Sequence, residues 1–186
     1  MRKIVCLFPG IGYTCDKPLL YYSWKLFSGL GWEIKPVPYT GFPSGVKGNP
    51  GKMRQCAEMA LSQAEEILQE VKWEEYDEIL FVSKSVGTVV SCAYAGKHGI
   101  SCRSILFTPV EATFSFPIGN AIAFHGTADP WADSDAIRTA CNDLSIPLYI
   151  TENANHSLET GDVDADIENM RNVMRTVREY AGDTDA

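Results

Sequence analysis

Three residue types that together can activate a hydroxyl occur in this sequence as Ser85, Asp129 and His156. A serine hydroxyl is a poor nucleophile at neutral pH until a neighbouring imidazole removes its proton. A carboxylate behind that imidazole fixes its tautomer and stabilises the imidazolium that forms. Ser85 stands in Ser83-Lys84-Ser85-Val86-Gly87, between an apolar run and a segment of small residues. Small residues on either side of a serine allow a strand and a helix to approach closely at a sharp turn, which holds the hydroxyl clear of the sheet. Ser83 takes the place of the first glycine usual in such turns. Taken alone, Ser85 also fits a helix cap, and Asp129 a turn residue. Of the three histidines, His98 closes a helical segment and His125 ends a strand-like run, both structural positions, so His156 is the base. Asp133 is the reserve acid.

To bring these residues together the chain must place each on a loop at one edge of a sheet. Strand-like runs cover Ile4–Phe8, Glu33–Tyr39, Glu78–Ser83, Ser104–Thr108, Ala121–His125 and Pro147–Thr151. Helical segments alternate with them. Lys17–Leu30 is apolar on several faces, and Asn49-Pro50 opens an amphipathic helix with Ala57, Ala60, Leu61, Ala64, Ile67, Leu68 and Val71. Val86–Lys97 is rich in small residues, Trp131–Leu144 is helical, and a last helix with Asp162 or Asp164 as its cap stops at Gly182. The final residues are expected to fray. Near-continuous apolar strands between helices predict a three-layer α/β/α sandwich with a mostly parallel sheet of about six strands. Ligands bind such sheets beyond the carboxyl ends of the strands, where the loops holding Ser85, Asp129 and His156 fall.

Composition narrows the partners. The 186 residues suit one domain spanning 1–186, and a net charge of −8 argues against nucleic acid or an anionic membrane. No apolar run reaches the ~18 residues of a membrane span, and the run after Lys3 is too short for a signal peptide. The six cysteines show no CxxC spacing and predict reduced thiols in the cytoplasm. Gly10-Ile11-Gly12 is not a dinucleotide fingerprint, because Cys15 stands where the third glycine belongs. No P-loop or metal-ligand spacing is found, so no cofactor is implied.

The order Ser85, Asp129, His156, with the 83–87 turn, the Gly126…Asp129 segment and Asn155-His156-Ser157, resembles the serine-esterase type of α/β-hydrolase over nearly the whole chain. That resemblance implies a trimmed fold beginning at the third of the family's eight strands. It implies Ser85 as nucleophile, Asp129 as acid and His156 as base. It also places an oxyanion loop at Phe8–Tyr13, with Pro9 where the family often has histidine. The backbone N–H groups of Ile11 and Val86 are then the expected oxyanion donors. The segment between Thr108 and Ala121 is too short for a cap domain, so the site should be open to small substrates.

Tyr13, Phe114, Phe116 and Trp131 are expected either to line a substrate pocket or to be ordinary core. Lys84 either attracts an anionic substrate, pairs with Glu111, or points to water. Tyr39–Gly51, rich in Gly and Pro, is either a lid or a plain surface loop. The expected activity is hydrolysis of a small ester or thioester through an acyl-enzyme. An acyltransferase with the same residues, or a binding protein with an idle site, remain the alternatives; Cys15 as nucleophile has little behind it. The sequence is silent on oligomeric state.

Overall fold

Alternation along the first strand sets the layers. In β1 (Lys3–Phe8), Val5 and Leu7 face one side of the sheet while Ile4, Cys6 and Phe8 face the other, all fully or almost fully buried. The structure, a computed structural model, describes residues 1–46 and 49–182. The expected fraying of the last residues falls on 183–186, and two residues of the candidate lid are 47 and 48; both lie outside the described residues.

β1 pairs with β2 (Glu33–Pro36) on one side and β3 (Glu78–Lys84) on the other, followed by β4 (Arg103–Phe107), β5 (Ala121–Gly126) and β6 (Leu148–Thr151). The order is β2-β1-β3-β4-β5-β6 and every pair is parallel, as the apolar runs predict. Helices α1 (Pro18–Gly29) and α5 (Val163–Tyr180) cover one face through Leu19, Leu20, Phe27, Val173 and Val177. On the other face lie α2 (Pro50–Leu68) and α3 (Val86–His98), through Ala60, Ala64, Val86 and Val90. Beside them α4 (Ser134–Asp143) packs Ile137 and Cys141 against Leu106 and Ala123. The chain leaves β1 for one neighbour and returns to β3 on the opposite side, so a crevice opens at the carboxyl ends of β1 and β3.

Several boundaries differ from the sequence reading. The second strand ends at Pro36 rather than Tyr39: Val37 N–H still donates to Leu7 O at 2.9 Å, and the pairing with β1 stops there, ahead of Pro38, a residue typical of edge-strand ends. The helix expected from Trp131 starts at Ser134. Asp129 Oδ1 accepts the Trp131 N–H, and Asp133 Oδ1 accepts the Ala136 N–H, so the turn ends and the helix begins at Asp133. Asp162, not Asp164, caps α5, and Gly182 follows it at φ 87°. Among the described residues no helix is long and apolar enough to cross a membrane.

Candidate active site

Ser85 sits between β3 and α3 at φ 56° and ψ −125°, a backbone that L-residues rarely adopt and that costs of order 1–3 kcal/mol. Its neighbours make the turn possible. A Cβ on Gly87 would lie 2.2 Å from Phe8 O and 2.5 Å from Pro9 O, so only glycine lets α3 start this close to β1. A Cβ on Gly10 would approach Ser85 Cβ to 3.1 Å, which sets the loop after β1 directly beside Ser85. Ser83 is tolerated in place of glycine because it is fully buried and its hydroxyl donates to Ile105 O at 3.2 Å on β4.

The helix-cap alternative for Ser85 fails, since its side chain makes no capping hydrogen bond. The Ser85 Oγ lies instead 2.7 Å from His156 Nε2. On the far side of the ring, His156 Nδ1 lies 2.6 Å from Asp129 Oδ2. A carboxylate only accepts, so Nδ1 carries the proton and Nε2 is free to accept from the serine hydroxyl. Asp129 is held in turn by the Trp131 N–H on Oδ1 at 2.8 Å, and its side chain is wholly buried. Asp133, the reserve acid, is committed to capping α4.

His156 is positioned by a loop fastened at both ends. Ala128 N–H donates to Ala154 O, Asn155 N–H donates to Glu159 O, and the Asn155 side chain accepts the N–H of Ser157 and Glu159. A Cβ on Gly126 would meet Ala154 O at 2.3 Å, so β5 and this loop touch through backbone alone. The Trp131 ring stacks on the imidazole with centroids 5.6 Å apart and planes 20° from parallel. Burial lowers the His156 pKa below its ordinary 6.5, the Asp129 hydrogen bond opposes this, and the Lys84 charge lowers it further. The ring therefore keeps its neutral, proton-accepting form to a lower pH than a free imidazole does.

Two further basic groups feel the charge of the same carboxylate. His125 is fully buried as expected of a structural residue, yet its Nδ1 is 4.0 Å from Asp129 Oδ2 while Nε2 meets Ser134 Oγ at 2.8 Å. Lys84 neither reaches water nor pairs with Glu111. It is 2% exposed, with Nζ over the Tyr13 ring at 4.8 Å. The signal for its burial was the apolar run continuing through Ser83 to the end of β3. Burial pulls the Lys84 pKa down to about 7, against the opposing pull of Asp129 and Glu159.

A lysine with a folded pKa below its unfolded value burdens the fold at low pH, and the burden fades between about 7 and 10.5. Lys84→Met is expected to raise Tm most near pH 6, with the gain shrinking toward pH 10. Thermal melts of both proteins across that range check this; a gain independent of pH contradicts it.

Of the expected oxyanion donors, Val86 follows Ser85 directly and Ile11 follows Gly10, which abuts Ser85. Ile11 occupies the tip of a two-residue turn closed by Gly10 and Tyr13, which bond each other in both directions, with Gly12 at φ 72°. Val86 is the first residue of α3, where backbone N–H groups lack intrahelical acceptors.

Beside Val86 opens a cavity of about 750 Å³, walled by α2, α3, the 3-10 turn Glu111–Ser115 and Trp131. Trp131 and Glu111 line it as expected, with Phe116. Glu111 Oε1 also accepts the Asp133 N–H. Tyr13 and Phe114 do not line it. The Tyr13 hydroxyl accepts the Leu19 N–H and its ring lies under Lys84, while Phe114 packs on the core beneath α4. The candidate lid is fastened to α2 where it is described: Thr40 and Gln63 exchange two hydrogen bonds, and Lys52 Nζ donates to Ser44 O. Among the described residues no group of three His, Cys, Asp or Glu side chains is placed to hold a metal ion.

No protein-family model matches the sequence, and no curated protein does so by sequence. Solved structures match by fold. An α/β serine hydrolase homologue from Coxiella burnetii superposes with TM-score 0.65 at 15% identity, over 94% of this chain and 84% of its own. A lidless α/β serine hydrolase from Xanthomonas campestris gives 0.60 at 14%, over 93% and 81%. Esterase 2 of Thermogutta terrifontis gives 0.60 at 18%, over 98% and 84%. The chain has the α/β-hydrolase fold.

Proposed function

We propose that this protein is a serine hydrolase that cleaves carboxylic esters or thioesters of small molecules through an acyl-enzyme. The observation that carries the proposal is the unbroken relay from Ser85 Oγ through His156 to Asp129, with contacts of 2.7 and 2.6 Å. Esterases and serine hydrolases among the proteins sharing its fold support the reading.

In this mechanism His156 Nε2 takes the Ser85 proton as Oγ attacks the carbonyl carbon. The N–H groups of Ile11 and Val86 bind the oxyanion, a typical donor contributing about 3 kcal/mol. Collapse of the tetrahedral intermediate breaks the ester bond, and His156 hands its proton to the departing alcohol or thiol. Water then attacks the acyl-enzyme, giving its proton to His156, and the second collapse returns that proton to Ser85. The step needs no group beyond the chain and water. The cytoplasm is the proposed compartment, in keeping with six free cysteines.

The test is pre-steady-state hydrolysis of p-nitrophenyl acetate. An acyl-enzyme that forms faster than it hydrolyses releases a burst of nitrophenol approaching one per active site before the linear phase. Neither burst nor linear turnover with any short ester or thioester contradicts the proposal.

A further inference from the structure

The cavity beside Ser85 has a shape that the reaction alone does not require. Three walls run side by side away from the serine: Val86, Val89 and Ala93 on α3, and Met53, Ala57 and Leu61 on α2, with Val110 and Phe116 closing the third side. The α3 stripe runs seven residue steps from Val86 to Ala93 and the α2 stripe eight from Met53 to Leu61, which at 1.5 Å per step makes a trough about 10–12 Å long. Its polar residues are at the rim, where Arg54, Glu58 and Glu111 are exposed. An apolar trough of this form, open along its length and starting one residue past a nucleophile, fits a hydrocarbon chain joined to the reacting carbonyl.

Resting on the serine-hydrolase reading above, we infer that the α2–α3 trough binds the acyl half of the substrate, as an unbranched chain of about eight carbons. A saturated chain with ~1.5 Å bonds at ~111° advances about 1.25 Å per carbon, so about eight carbons fill the stripe from Val86 to Ala93. The acyl half is favoured over the alcohol by topology. His156 must protonate the leaving oxygen, and it arrives from the β6 side. The trough opens beside Trp131, which stacks on His156, and runs down α3 from Val86 to Ala93, away from the strand ends where His156 sits, so the chain of a carbonyl held at the Val86 N–H lies along it. This sharpens the expectation of an open site for small substrates: the site is open, and its preferred acyl group is of medium length.

Two ester series on the intact protein test this. In p-nitrophenyl esters from acetate to dodecanoate, kcat/KM is expected to rise about four-fold per methylene up to about eight carbons and then level or fall. In acetates of alcohols of the same lengths it should stay nearly flat. Ala93→Leu, at the far end, and Ala57→Leu, on the facing wall, should each shift the optimum to shorter acyl chains. Their octanoate-to-acetate ratio of kcat/KM should drop at least ten-fold. A flat acyl profile in the wild type, or a dependence on the alcohol chain instead, overturns the inference while the hydrolase reading stands. Failure of that reading looks different, because then no ester of either series is turned over and Ser85 takes up no fluorophosphonate.

Discussion

Replacing Ser85 with alanine is expected to lower kcat for short p-nitrophenyl esters by about a millionfold, close to the loss typical when a serine nucleophile is removed from a complete triad. The hydroxyl is the atom that must be acylated, and its proton has one evident acceptor, His156 Nε2 at 2.7 Å. What remains after the substitution is the oxyanion site and substrate binding, worth roughly 10³–10⁴ over water. The same change should leave Tm nearly unmoved. The Ser85 side chain caps no helix, and alanine has to adopt the same strained φ of 56°. A structural serine predicts the opposite pattern, with lost stability and retained turnover. Steady-state assays at high enzyme concentration beside thermal melts separate the two.

Asp129→Asn should cost about 10,000-fold in kcat while keeping the geometry. The amide is nearly isosteric and its oxygen can still accept the Trp131 N–H, but its NH₂ then faces His156 Nδ1. That favours the tautomer with the proton on Nε2, which cannot take a proton from Ser85. The substitution also leaves Lys84 and His125 without the buried anion that offsets them. Asp133→Asn is the control. Its side chain makes the α4 cap, while the bond to Glu111 comes from its backbone N–H and survives the change, so kcat should change by less than about three-fold and stability by about 1 kcal/mol or less, asparagine being an equal cap. A larger loss of kcat at Asp133 than at Asp129 contradicts the assignment of the acid.

Much of this site was legible because order and loop position are written locally. Each of Ser85, Asp129 and His156 follows an apolar run that reads as a strand, and parallel strands bring their following loops to one edge. The strand count and helix alternation followed from the same periodicity. What escaped the sequence depends on contacts between distant segments. Lys84 is charged, and its residue type argues for solvent against the strand run that leads into it; the Tyr13 ring from the loop after β1 makes its buried position intelligible. Tyr13 and Phe114 carry the right chemistry for a pocket, but the α1 start and the α4 underside claim them first. The trough itself was invisible, since its walls are helices whose apolar stripes read as ordinary core until α2 and α3 are seen to form a groove with Val110, Phe116 and Trp131. The start of α4 was misplaced for a smaller reason: Asp129 forms a side-chain turn over Trp131 that delays the helix to the next aspartate.

The most direct measurement is the mass of the protein after exposure to a fluorophosphonate, with peptide mapping of the adduct. A relay that makes Ser85 nucleophilic predicts one adduct per chain, on Ser85, with no adduct in Ser85→Ala and much slower labelling in Asp129→Asn. A folded protein that takes up no label, or takes it up elsewhere with Ser85 untouched, would mean that the site is idle.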